Sequence, residues 1–208
     1  MKVEINNEQL ILEAAEAEFL EKGFGNAKTV AIAQRAGVSH SMLHYYFRTK
    51  DKLFQMIFRQ KMQNLLQPIG LIFDKNLPFE QTIRQIIETQ FNFVAKQPHL
   101  PLFVFNEILQ NKANRDLVLE FIVPHLSIFL EKIEKTLNEE IEKGNNRPIS
   151  IRDLMMNILS INISTFIAMP IINDILPIKD KTILKKMLNE RRESNVQFIL
   201  NAIRINTK

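Results

Sequence analysis

Cysteine is absent from all 208 residues, which removes a disulfide framework, a thiolate zinc cluster and a cysteine nucleophile together. Glycine is scarce, with five in all, and no run alternates apolar and polar residues as a half-buried strand would. The opening MKVEINNEQL lacks the basic start, apolar run and small-residue cleavage site of an export signal. No long apolar stretch is clean: Leu154 to Leu176 is interrupted by Asn157, Ser160, Asn162, Ser164, Asn173 and Asp174, groups that are costly in lipid without a partner. The expectation is a cytoplasmic chain in which that stretch is a buried helix and not a membrane span. Acids are scarce in one region only. Between Lys22 and Lys61 stand eight lysines and arginines against Asp51 alone, a local +7 in a chain of net +4, leaving −3 elsewhere. Such asymmetry is the footprint of polyanion binding.

What is present is helical. Apolar residues recur at three and four throughout, and turn-forming residues fall between the periodic segments. The pattern predicts an all-α fold of about nine helices. The first is capped by Asn6, with Gln9 placed for a capping-box exchange, buries Ile11, Ala14, Ala15 and Phe19, and ends at Gly23 and Gly25. A short helix from Lys28 to Ala36, a turn at Gly37 and a second short helix capped by Ser39 and running to Phe47 form a helix-turn-helix. Thr49 caps the next, which carries Leu53, Phe54, Ile57 and Phe58 and stops near Pro68. Further helices are expected over Pro78 to Lys96, Pro101 to Asn111, Asn114 to Lys143 with a kink at Pro124, Ser150 to Met169, and Asp180 to Asn206. The loop Gly144-Asn145-Asn146-Arg147-Pro148 is the clearest break.

The run VSHSMLHYYF, Val38 to Phe47, holds His40 and His44 one turn apart, a metal-ligand spacing. In metalloproteases such a pair flanks a glutamate; here Ser41 stands in its place, and His99 and His125 lie elsewhere without acidic partners. No metal and no cofactor are expected. Serine chemistry has no handle either, since neither Gly-x-Ser-x-Gly nor Ser-x-x-Lys occurs, and Gly23-Phe24-Gly25 lacks the third glycine of a dinucleotide loop. The sequence therefore predicts a protein that is not an enzyme.

From Ile11 to Phe54 the chain resembles the DNA-binding domain of the TetR family of bacterial transcriptional regulators. The resemblance is carried by Ala14-Ala15 and Phe19, Gly23, Ile32-Ala33, Ala36-Gly37-Val38-Ser39, Leu43, Tyr46-Phe47, and Lys50 with Leu53. It implies an N-terminal helix-turn-helix domain, residues 1–50, and a C-terminal ligand-binding and dimerisation domain, residues 51–208. It also implies that Ser41, Met42, His44, Tyr45 and Tyr46 lie on or near the side of the recognition helix that enters the major groove. Tyr45 and His40 are the candidates for base contact, and Lys28, His44 and Lys50 for phosphate contact. Two departures stand out, since the family commonly has tyrosine at His44 and threonine or serine at Lys28. A histidine donates to phosphate more strongly when protonated, so affinity is expected to fall as pH rises through the histidine range. Tyr45 and Tyr46 are adjacent and cannot point the same way, and Tyr45 is expected outward.

For the C-terminal part the resemblance implies a four-helix bundle, formed by the last two helices with those of a second copy. The middle helices are rich in aromatic residues, and Phe91, Phe103, Asn106, Phe121, His125, Met155, Asn162 and Phe166 are the candidates for an apolar effector pocket with few polar groups. The expected function is a homodimeric repressor of a palindromic operator, released by a small apolar ligand through the fourth helix. The alternative is a helical module that keeps the helix-turn-helix shape and binds a protein partner without specific DNA recognition.

Overall fold

The computed structural model describes residues 6–205, and among them the helices are α1 Asn7–Asn26, α2 Thr29–Ala36, α3 His40–Tyr46, α4 Lys50–Phe73, α5 Phe79–Lys96, α6 Leu100–Gln110, α7 Lys112–Glu142, α8 Ile151–Ile175 and α9 Lys181–Ile203. Nine helices and no named strand in that span match the all-α expectation. Position 206, the expected end of the last helix, lies outside the described residues.

The helices begin where short polar side chains can satisfy free amides of the first turn. Asn6 Oδ1 accepts from the amides of Glu8 and Gln9, Ser39 Oγ from Met42, and Ser150 Oγ from Asp153. The first box is only half made, because the Gln9 amide group turns to Glu13 instead of back to the cap. Three ends differ from the sequence expectation. Gly23 interrupts α1 with φ 73° and ψ 159°, yet helix resumes to Asn26, so the glycine bends the chain there and does not end it. Pro68 and Pro170 lie inside α4 and α8, which run on to Phe73 and Ile175. A lone proline removes one amide, and in α4 the anchoring of Ile69 and Ile72 in the core holds the helix on course.

The chain divides into two compact units. One comprises the chain to Asn64 with Leu102–Ile122, and the other Leu65–Pro101 with the chain from Val123 onward. In the first, Ile11, Ala15, Phe19, Ile32, Leu43, Phe47, Leu53 and Phe54 form one buried cluster with Phe103 and Phe121 packed against it. In the second, α5 lays a stripe of Ile83, Ile86, Ile87 and Phe91 against α8 and α9. The core of this unit also contains a buried polar junction. Asn162 Nδ2 donates to the Ile87 carbonyl and to Gln90 Oε1, both at 3.0 Å, and its Oδ1 accepts from Asn195 Nδ2 at 3.0 Å.

Helix α8 is, among the described residues, the one helix long and apolar enough to cross a membrane by length and composition. Its core stripe is Leu154, Ile158, Asn162 and Phe166, each four residues from the last. Residues four apart cover one face only, so within one chain the expectation of a buried helix holds for that face and not for the rest of α8. Met156, Ile167, Ile171, Ile172 and Ile175 are exposed, as is Phe198 on α9.

Candidate nucleic-acid interface

The first three helices explain how α3 comes to stand out from the surface. Gly37 ends α2 in the left-handed region, φ 69° and ψ 25°, and its amide returns to the carbonyls of Ala33 and Gln34. The Val38 amide closes on Ala33 as well. An L side chain at this φ is strained, so glycine sets the corner. Ser39 then caps α3, and Leu43 and Phe47, 0% and 1% exposed, pin it from behind. Everything else on α3 faces outward: His40, Ser41, Met42, His44, Tyr45 and Tyr46 are all exposed. Tyr45 is 83% exposed and Tyr46 40%, with their rings edge to face at 5.3 Å, so Tyr45 is the outward member of the pair.

Thr29, at the start of α2, was not among the sequence candidates, yet its Oγ1 lies 3.0 Å from His40 Nε2. That nitrogen also lies 3.1 Å from His44 Nε2. The exposed side of α3 is thus tied to α2 through one imidazole. Ser41 Oγ is 3.0 Å from Ser39 Oγ and joins the cap. Lys28 precedes α2 with its side chain exposed and makes no capping bond.

Lys50 has a different occupation from the phosphate contact expected of it. Its ammonium donates to the carbonyls of Phe24, Gly25 and Ala27 at 2.6, 3.1 and 3.1 Å and lies 4.6 Å from the centroid of the Phe24 ring. An ammonium has three N–H bonds, and all three are used within the protein. The local +7 is likewise partly neutralised, by acids on α1 upstream of Lys22. Lys61 pairs with Glu16, Lys22 with Glu18, and Arg35 with Glu21, at 2.7, 2.9 and 2.7 Å. The Arg35 guanidinium hydrogen-bonds the Glu21 carboxylate and holds its pKa below the usual value. Among the described residues, Lys28, Arg48, Lys52 and Arg59 are exposed and make none of these pairs; Arg59 lies 5.9 Å from the Phe121 ring centroid, and the other three place positive charge at the start of α2 and around the junction of α3 with α4.

The eight pocket candidates are divided between the two units. Phe103 and Phe121 pack against the first unit's cluster, while the rings of Phe91 and Phe166 meet at a tilt, centroids 5.0 Å apart, in a small cluster of the second with Val94. Met155 packs at the edge of the second unit's main core, Asn162 belongs to the buried junction, and Asn106 and His125 are exposed. None of the eight lines the cleft of about 370 Å³ between α8 and α9, which is bounded by Thr165, Met169, Ile172, Met187 and Arg191 among others.

Residues 11–57 match the family model for bacterial regulatory proteins of the tetR family. A helix-turn-helix transcriptional regulator of Bacillus subtilis, YhgD, described as uncharacterized, is 24% identical over 144 residues, covering 69% of this chain and 74% of its own. The fatty acid metabolism regulator protein of the same organism is 22% identical over 135 residues, 64% of this chain and 68% of that one. The ketosteroid transcriptional regulator KstR2 of Mycobacterium tuberculosis has a similar fold, with a TM-score of 0.74 at 17% identity over 99% of this chain and 98% of that one. The matched segment spans the pinned α3, the glycine corner before it and the start of α4, so the N-terminal helix-turn-helix is similar to that of the TetR family of transcriptional regulators.

Proposed function

We propose that the protein is a cytoplasmic, homodimeric, sequence-specific DNA-binding repressor of a palindromic operator, released by a small apolar effector. Residues 1–50, with Lys52 just beyond them, carry DNA contact, and the rest of residues 51–208 carries dimerisation and ligand response. The observation behind this reading is α3 itself, a helix whose Leu43 and Phe47 are sunk in the core while His40, Ser41, Met42, His44, Tyr45 and Tyr46 are exposed. A short helix anchored on one side and polar-aromatic on the other suits the major groove.

Tyr45 and His40 make the base contacts. Lys28, joined by Arg48 and Lys52, takes phosphates, because these cations have no competing carboxylate in the pairs described above. The exposed apolar residues of α8 and α9, Ile167, Ile171, Ile175 and Phe198, meet their copies in a second chain. Two recognition helices about 34–36 Å apart, or a further helical turn, then meet successive grooves. An apolar effector is supported by two relatives whose names refer to fatty acid metabolism and to ketosteroids. The effector binds the form whose helix spacing is wrong for the operator and shifts the population toward it. Helix α4, which begins at Lys50 beside the DNA-contact residues and continues to Phe73 in the second unit, carries the change.

Selection of bound sequences from a random duplex pool tests this reading. Recovery of a palindrome bound about 10³-fold more tightly than a scrambled duplex is the expected result. Equal, weak binding to every duplex would overturn it in favour of a protein-binding module.

A further inference from the structure

His40 and His44 stand one turn apart on the exposed side of α3, their rings edge to face with centroids 4.3 Å apart. Their Nε2 atoms are 3.1 Å from each other, and Thr29 Oγ1 is 3.0 Å from the same His40 nitrogen. Imidazole nitrogens bind transition cations at about 2.0–2.1 Å. At the observed separation of 3.1 Å, two such bonds enclose an angle of about 98° at the ion. That angle lies between the right angle of square-planar or octahedral coordination and the tetrahedral value, so the spacing of the two nitrogens suits a single shared ion.

We propose that His40 and His44 chelate a divalent first-row transition cation, such as Zn²⁺, Ni²⁺ or Cu²⁺, through their two Nε2 atoms. Imidazole suits all three ions. Ser41 in place of a metalloprotease glutamate removes the general base of hydrolysis, and it leaves chelation intact. Among the described residues no group of three or more His, Cys, Asp or Glu side chains gathers, so water fills the remaining positions. Thr29 Oγ1 stands close enough to hydrogen-bond one such water or to take a position itself. A site with two protein ligands is exchangeable, unlike a closed structural centre. Its place on α3 gives the ion a role that rests on the DNA-contact reading above. With the ion bound, His40 reaches the DNA through it: the open positions accept a base nitrogen or a phosphate oxygen, and two positive charges are added on the DNA-facing side of α3.

The test uses the full-length, tag-free protein, titrated calorimetrically at pH 7.5 with Zn²⁺, Ni²⁺ and Cu²⁺ in turn, in the absence of DNA. One ion per chain is expected, with Cu²⁺ the tightest of the three. Uptake should disappear in His40→Ala and in His44→Ala and persist in His125→Ala. Circular dichroism of each variant establishes that it is folded. No stoichiometric uptake, or uptake that survives both α3 substitutions, overturns the site. Anisotropy with the selected duplex then tests the coupling: Ni²⁺ should tighten binding by the wild type and leave His44→Ala unchanged. A selection that yields no operator defeats the DNA reading, while the titrations without DNA still decide the cation site.

Discussion

The Lys50 ammonium lies 2.6 Å from the carbonyl oxygen of Phe24. With the carbonyls of Gly25 and Ala27 it closes the end of α1 onto the beginning of α4, and the Phe24 ring lies beneath the charge. Hydrogen bonds to a charged group contribute about 1.5–3 kcal/mol when they are well formed. Lys50→Met should therefore destabilise the protein by about 2 kcal/mol in urea unfolding. At a temperature where the variant is folded, the salt slope of DNA binding should equal that of the wild type. A slope lower by about one would return Lys50 to phosphate contact.

Lys28→Ala and Arg48→Ala should weaken specific and scrambled duplexes alike, each lowering the salt slope by about one. Tyr45→Ala should act on the ratio between the two duplexes. Anisotropy titrations at two salt concentrations separate these outcomes.

How far these sites were legible in the sequence differs from residue to residue. Asn6, Ser39 and Ser150 were readable as caps because a cap is a local device and its partners lie two or three residues on. Leu43 and Phe47 were readable as anchors for the same reason, being one turn apart on a short helix. The task of Lys50 was not readable, since its partners are backbone carbonyls 23 to 26 residues earlier and any residue type supplies a carbonyl. The charge of Lys22 to Lys61 overstates the basic surface, because the acids Glu16, Glu18 and Glu21 just before it pair with Lys61, Lys22 and Arg35. Phenylalanine periodicity gave burial without saying in which unit, so Phe103 and Phe166 were grouped although they belong to separate clusters.

Asn162→Ala should cost at least about 2 kcal/mol, measured by urea denaturation. The substitution leaves the Ile87 carbonyl and Gln90 Oε1 without their donor and Asn195 Nδ2 without one acceptor. Buried polar groups left without partners cost more than the hydrogen bonds contributed.

Ile171→Glu combined with Phe198→Glu should reduce the sedimenting mass to that of one chain, 24.3 kDa, without unfolding it. Both side chains are more than 60% exposed in the single chain, so charge there disturbs association and spares the core. An unchanged mass would place the contact between copies elsewhere.

The Glu80 carboxylate accepts two hydrogen bonds of 2.7 Å from Arg204, and this partner holds its pKa below the ordinary value. A carboxylate depressed in the folded state contributes stability above its unfolded pKa, and that contribution is lost as pH falls through the folded value. Both groups are over 40% exposed, so the contribution is less than about 1 kcal/mol. Glu80→Gln should lower the melting temperature slightly at pH 7, and the difference from wild type should shrink as pH falls below the ordinary carboxylate range.

That same arginine sits at a crossing of the chain. The Arg147 amide donates to the Ile203 carbonyl, Asn146 pairs with Arg204 as an isolated antiparallel bridge, and Arg204 grips Glu80 at the start of α5. The end of α9 is therefore a buckle for the α7–α8 corner and for α5, drawn from segments far apart in sequence. Shortening the chain ahead of Ile203 would undo three fastenings at once and behave like a core lesion. Reporter fusions and immobilisation tags at that end belong beyond Ile205, where the buckle stays closed.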